Sequence, residues 1–196
     1  MARLDKIAVS AIALFGLAGC SVALAPRIPS DLGERRVSGE VAAEPAAQGM
    51  PQNLGFGTFT AFAIPVAGVH VTNGPGSQLI MDSIKQTLRS DGYEVVDATE
   101  ATHGPVLECR VTRARFRNYT WLFPIVPTWG SIDLELTLAD VRGGVPTWSH
   151  AYHSSSWNLL YSFDRAVNGA MTGILERFAK DAADPSFQRA CCSGVR

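Results

Sequence analysis

The stretch SIDLELTLADV, residues 131 to 141, alternates without a break. Ile132, Leu134, Leu136 and Leu138 fall on one side, and Asp133, Glu135 and Thr137 on the other. Successive side chains of a strand point to opposite faces, so this period of two predicts a strand with one buried and one solvated face. Upstream, VLECRVTRARFR (106–117) carries Arg113, Arg115 and Arg117 in alternation with Ala114 and Phe116. Before Val111 the phase is inverted, because Leu107, Cys109 and Val111 are apolar while Glu108 and Arg110 are polar. A bulge, or a twist of the strand out from cover, is therefore expected there. Antiparallel pairing of the two strands sets Arg115 against Asp133, Arg113 against Glu135, Phe116 against Ile132 and Ala114 against Leu134. A slip of one residue would set Arg against Leu.

Working outward, RGGV (142–145) is a hairpin turn and PTWSHAYHSSSW (146–157) its return strand. A strict two-residue turn would place Trp148 and Tyr152 on the charged face. A glycine bulge would turn them onto the leucine face, and burial of two aromatics favours the bulge. Residues 162–185 (SFDRAVNGAMTGILERFAKDAADP) predict a helix capped by Ser162. Its apolar stripe is Phe163, Val167, Ala170, Met171, Ile174, Leu175 and Phe178, and Pro185 lies beyond its end. Gly169 and Gly173 permit close approach to the sheet. On the N-terminal side, FTAFAIPVAGVHVTN (59–73) is strand-like, and QLIMDSIKQTLRSD (78–91) is a helix capped by Ser77. That helix has Ile80, Ile84 and Leu88 in one stripe and Gly92 as its stop. YEVVDA (93–98) is a short strand. The order β-α-β-β-β-β-α predicts an α+β fold: an antiparallel-rich sheet of about five strands with two helices packed on one face.

With 196 residues, 46% hydrophobic and 18% charged, the chain suits one globular domain and a tail. A net charge of −1 supplies no basic field for nucleic acid. At the N-terminus, Arg3 and Lys6 precede the uncharged run IAVSAIALFGLAG, the layout of a secretory signal too short for a comfortable membrane span. The run ends in Leu17-Ala18-Gly19-Cys20, which resembles the lipobox of bacterial lipoproteins. That resemblance implies cleavage between Gly19 and Cys20 and a lipid-modified, acylated Cys20 as first residue, with the membrane as partner. Several acyl chains give effectively permanent anchoring. Ser21, rather than Asp, implies the outer membrane, on the periplasmic face. The expected layout is a signal peptide over 1–19, a lipidated N-terminus and flexible tether over 20–55, one domain over 56–185 and a tail over 186–196. The tether reading rests on the Ala-, Pro-, Gly- and charge-rich composition of that segment. In an oxidising periplasm, Cys109 is expected to bond with Cys191 or Cys192, since adjacent cysteines rarely pair.

No motif for an enzyme, metal or cofactor is present: there is no GxSxG, HExxH, P-loop or GxGxxG. His150 and His153, three apart on a strand, point to opposite faces and cannot share a metal ion. Two features invite a binding reading. NYTWLFPIVPTW (118–129) is uncharged and apolar although it links two strands, so Tyr119, Trp121, Phe123, Ile125 and Trp129 are interaction candidates. Arg113, Arg115 and Arg117 are candidates for anionic contacts, against the alternative of a solvated face with its charges already paired.

The lipobox, the polar segment, and IKQTLRSDGYEVVD leading into VLECRVTRAR are similar to the YajG-like and ABC-transporter-auxiliary lipoproteins. That resemblance implies a non-enzymatic accessory of envelope transport or assembly with an envelope protein partner. The alternatives are a carrier holding a lipid between Trp121, Phe123, Trp129 and Trp148, and a purely structural lipoprotein.

Overall fold

The computed structural model describes residues 20–29, 39–49, 57–61, 64–100, 104–118, 127–140, 145–159 and 162–192. Its strands are β1 (Cys20–Val22), β2 (Glu40–Ala43), β3 (Gly57–Ala61), β4 (Ile64–Val71), β5 (Glu94–Asp97), β6 (Pro105–Asn118), β7 (Thr128–Asp140) and β8 (Trp148–Asn158). The helices are α1 (Gly76–Ser90), α2 (Phe163–Ala182) and α3 (Pro185–Cys192). Among the described residues the fold is α+β, with three helices where two were expected and a mixed, eight-stranded sheet where about five strands were expected.

The long meander β6–β7–β8 is antiparallel throughout and forms one side of the sheet, with β8 at the edge and β6 at the centre. The free edge of β6 is shared by two shorter groups. Near its start β6 pairs parallel with β2, which carries β5; near its end it pairs parallel with β3, which carries β4 and then β1. Residues 59–73, read as one run, are instead a β3–β4 hairpin. Its connection at residues 62–63 lies outside the described residues.

A bulge interrupts β6 between Val111 and Arg113, where the hydrophobic phase inverts. Beyond it Arg113 faces Asp133, Ala114 faces Ile132 and Arg115 faces Ser131. The parity is the expected one, but the register differs by two residues. The reason is Phe116, which lies opposite Gly130 rather than Ile132. A Cβ at Gly130 would run into the Phe116 ring and the Arg115 carbonyl, so only glycine accepts that fully buried ring. Trp148 and Tyr152 pair with Leu138 and Leu134 on the leucine face, as burial demanded. The connecting turn itself lies outside the described residues.

All three helices pack on the leucine face. Ile80, Ile84 and Leu88 of α1, Ala170, Ile174 and Phe178 of α2, and Phe187 of α3 share one core with Leu107, Cys109, Val111, Ile132, Leu134 and Leu136. Burial of such side chains is worth about 1.5–3 kcal/mol each before chain entropy is counted. Ser162 caps α2 by accepting from the Arg165 amide at 3.3 Å, as its sequence position predicts. Gly169 and Gly173 let α2 approach β8, since a Cβ at either would lie 2.7 or 2.6 Å from the Oγ of Ser156 or Ser154. At α1 the cap position is Pro75, without a side-chain bond, rather than Ser77. Gly92 ends α1 with φ +100, and the Tyr93 amide turns back to the Leu88 carbonyl at 3.0 Å.

The segment assigned to a flexible tether is built into the fold. Strands β1 and β2 lie within it, and Val22, Leu24, Val41, Ala43 and Ala47 are buried. After β1 the chain runs as an extended strap along α2. The amides of Ala23, Ala25 and Arg27 donate to Asp164 Oδ1 (2.8 Å), Asn168 Oδ1 (2.8 Å) and Thr172 Oγ1 (3.0 Å). These acceptors sit at i, i+4 and i+8, one face of the helix. Asn73 holds both backbone groups of Leu24 at 2.9 Å. The expected tail is likewise part of the fold: α3 opens with Asp184, which accepts the Ser186 amide at 2.8 Å, and with Pro185 at a position needing no donor.

Candidate functional site

With all three helices of the described residues on one side, no described helix covers the opposite face of the meander, called here the bare face. Its rows follow from the pairings. Arg117, Trp129 and Trp157 form one row; Arg115, Ser131 and Ser155 the next; Arg113, Asp133 and His153 the third; Arg110, Glu135 and Ala151 the fourth. The structure thus brings together two sets of candidates that lie apart in sequence, the arginine ladder and Trp129. A cleft of about 90 Å³ is lined by Arg113, Arg115, Arg117, Trp129 and Ser131.

The acids on this face do not neutralise the ladder. Asp133 lies opposite Arg113, but its carboxylate is bonded to His153 Nδ1. Glu135 accepts from the Ser149 hydroxyl at 3.2 Å. Among the described residues, Arg113, Arg115 and Arg117 are therefore exposed without an ion-pair partner. Trp129 is 48% exposed, and its cross-strand neighbour Trp157 is 64% exposed. Two large aromatics side by side on a bare face are not packing residues, because nothing in the core needs them.

The pairing of Trp129 with Trp157 was not read from the sequence. Its signal is the two-residue register set by Phe116 and Gly130, without which Trp157 is one polar-strand aromatic among several. Further along the same face a polar groove of about 370 Å³ is lined by Gln48, Glu108, Cys109, Arg110, Glu135 and Thr137. Tyr119, Trp121, Phe123 and Ile125 lie outside the described residues, as does Gly19. Cys20 is the first residue of β1.

Other titratable groups have structural surroundings. Cys109 is fully buried and unbonded, and burial pushes its thiol up to about 12, so it is held as the inert thiol. The disulfide joins Cys191 to Cys192, in place of the expected bond to Cys109. The cause is placement: Cys109 faces the core from mid-β6, while Cys192 lies against Gly39 and Glu40 at the β2 edge. His150 and His153 diverge as expected. His150 meets Asp181 of α2 at 3.2 Å on the helix side, and His153 meets Asp133 on the bare side. Tyr152 donates to Asp181 at 2.6 Å, and burial together with that carboxylate raises its phenol above the usual range. This pair clamps β8 to α2. Among the described residues, no cluster of three or more His, Cys, Asp or Glu side chains is placed to hold a metal ion.

Trp129 and Trp148 lie on opposite faces of the sheet, Trp148 packing edge-on to Phe187 at 4.9 Å. The aromatic set proposed to enclose a lipid is therefore not assembled around one cavity.

No family model matches this chain, and no curated protein matches it. Among solved structures, the Xanthomonas campestris protein XCC0632, of family-model DUF330, matches at TM-score 0.62 with 12% identity, covering 86% of this chain and 97% of its own. That likeness shows a shared fold. A Helicobacter pylori protein described as a homolog of a neuraminyllactose-binding hemagglutinin matches at TM-score 0.48 with 12% identity, over 84% of this chain and 97% of its own. A Caulobacter crescentus protein provisionally described as a lipoprotein matches at 0.38 with 14% identity, over 65% and 88%. Neither of these two scores supports any statement about this chain. Among the described residues, no helix is long and apolar enough to cross a membrane.

Proposed function

We propose that this chain is a periplasmic lipoprotein, anchored to the outer membrane through lipid on Cys20, that serves envelope transport or assembly by binding rather than by chemistry. The observation that carries the binding role is this face: three exposed guanidiniums without an ion-pair partner among the described residues, and a cross-strand pair of exposed tryptophans. A rigid β-scaffold presents these groups without loop-ordering cost. The groove farther along, with Glu108, Arg110 and Glu135 in alternating charge, suits the polar surface of an envelope protein partner. Support for the anchor comes from Leu17-Ala18-Gly19-Cys20 and Ser21.

The test is fractionation joined to site-specific crosslinking. The full chain should co-fractionate with outer membrane and become releasable when Cys20→Ser removes the lipidation site. A photo-crosslinker at Thr137 should give one discrete adduct with an envelope protein, lost on Glu135→Lys. A wild-type chain released without detergent would refute the anchor. A Thr137 adduct unaffected by Glu135→Lys would refute the groove as the docking surface.

A further inference from the structure

A lateral row of the covered face runs across the sheet to the start of β1. Cys20 pairs with Val69, Val69 with Gly57, Gly57 with Phe116, Phe116 with Gly130, and Gly130 with Ser156. One residue further along lies the row of Arg117, Trp129 and Trp157. Row spacing along a strand is about 3.4 Å, so Cys20 sits about one residue short of the tryptophan row. The direction also matters. Strand β1 runs parallel to β4, β4 antiparallel to β3, and β3 parallel to β6, so β1 runs opposite to β6. The N-terminal end of β1 therefore lies toward the end of the sheet that carries Trp129 and Trp157. Because β1 is paired in the sheet and the strap behind it is bonded to α2, no slack separates Cys20 from the domain.

We infer that the Trp129–Trp157 corner, together with Arg113, Arg115 and Arg117, docks on the anionic phospholipid headgroups of the bilayer that holds Cys20. This rests on the anchoring proposed above and extends it: the domain lies on the membrane in one orientation instead of swinging from it. Three features select this occupant. Tryptophan has an apolar ring and one N–H donor, a combination that settles at the level of headgroups. Guanidinium forks match phosphodiester oxygens bidentately, and these three have no ion-pair partner among the described residues. Finally, the backbone of Cys20 lies at the tryptophan end of the sheet, about five strand spacings of roughly 4.8 Å from β8. The polar groove at Glu108, Arg110 and Glu135 lies toward the other end of β6 and stays clear of the lipid. The bare face is thus divided, with lipid at one end and room for a protein at the other.

The experiment uses the full lipidated chain reconstituted in vesicles of phosphatidylcholine and phosphatidylglycerol at 3:1, doped with lipid brominated near the headgroup. Trp121→Phe and Trp148→Phe leave Trp129 and Trp157 as the reporters. Flotation reads the anchor, and quenching of tryptophan emission reads the docking. The expected result is flotation with strong quenching, which falls in pure phosphatidylcholine and with Arg113→Gln/Arg115→Gln/Arg117→Gln. Each charge removed should weaken docking about fivefold. Those exposed substitutions leave the core untouched, and a circular dichroism spectrum checks that the variant is folded. Flotation without quenching would overturn the inference while sparing the anchor, and would assign the corner to a protein partner. Failure to float would instead refute the anchor, and the docking with it.

Discussion

The two faces of the β6–β7–β8 meander carry the same strands and obey opposite rules. On the covered face, Ile132, Leu134 and Leu136 are buried under α2, and glycines are placed where a methyl group would collide. On the bare face, residues one step away in sequence are exposed, charged or aromatic, and several have no partner. Stability is concentrated on the first and recognition on the second. The contrast teaches that a substitution's cost should follow its face rather than its position along the strand.

The comparison breaks first at Phe116 and Gly130, which share one space. Phe116→Ala should cost about 3–5 kcal/mol in denaturant unfolding by leaving a cavity. Gly130→Ala should cost about 1–3 kcal/mol by overpacking. The double variant should cost less than the sum, because the removed ring makes room for the added methyl. Strict additivity would mean that the register is not held by this contact. Next comes the strap on the covered side. Asn73→Ala with Asn168→Ala removes the side-chain partners of Ala23, Leu24 and Ala25. A loss of about 1 kcal/mol per bond, with faster proteolysis before residue 29, is expected. Unchanged proteolysis would show that β1 and the Asp164 and Thr172 bonds hold the segment without the two asparagines.

A smaller effect concerns Asp91, at the C-terminal end of α1. Burial raises its carboxyl from the usual 3.8 to about 6, and one of its oxygens has no partner. A carboxyl raised on folding favours the folded state most when protonated, so its penalty grows as pH rises from 3.8 through about 6. Asp91→Asn should therefore raise Tm at pH 7.5, with a gain that shrinks on acidification toward pH 4. A gain independent of pH would assign the effect to something other than charge. Smallest of all, Arg113→Gln/Arg115→Gln/Arg117→Gln should change stability by no more than about 0.5 kcal/mol. A larger loss would make the ladder a structural element and erase the contrast between the faces.

What could be read from the sequence followed the length of the elements. Strands β6, β7 and β8 are long enough for period two to show, and the inversion at Val111 revealed the bulge. Strands β1 and β2, at three and four residues, are too short to show any period. Their pairing is parallel and distant, so composition alone suggested a tether. The strap is bound through its backbone amides, which leave no trace in its own sequence. Its partners Asp164, Asn168 and Thr172 look like the solvated face of an ordinary amphipathic helix. Asp184-Pro185 carried a start signal for α3 but was taken for the stop of α2. At the site, the arginine ladder was legible from alternation. The Trp129–Trp157 pair was not, since it needs the register that Phe116 imposes.

The placement of Cys20 beside that pair depends on residues 20–29 being part of the fold. Amide hydrogen exchange on the full chain at Ala23, Ala25 and Arg27 measures this directly. The strap bonds predict exchange slowed to minutes or longer at all three, with Ala25, whose acceptor is Asn168, the one that speeds up most in Asn73→Ala/Asn168→Ala. Free-chain rates at all three amides in the unmodified protein would make the segment a tether after all, and would separate Cys20 from the tryptophan corner.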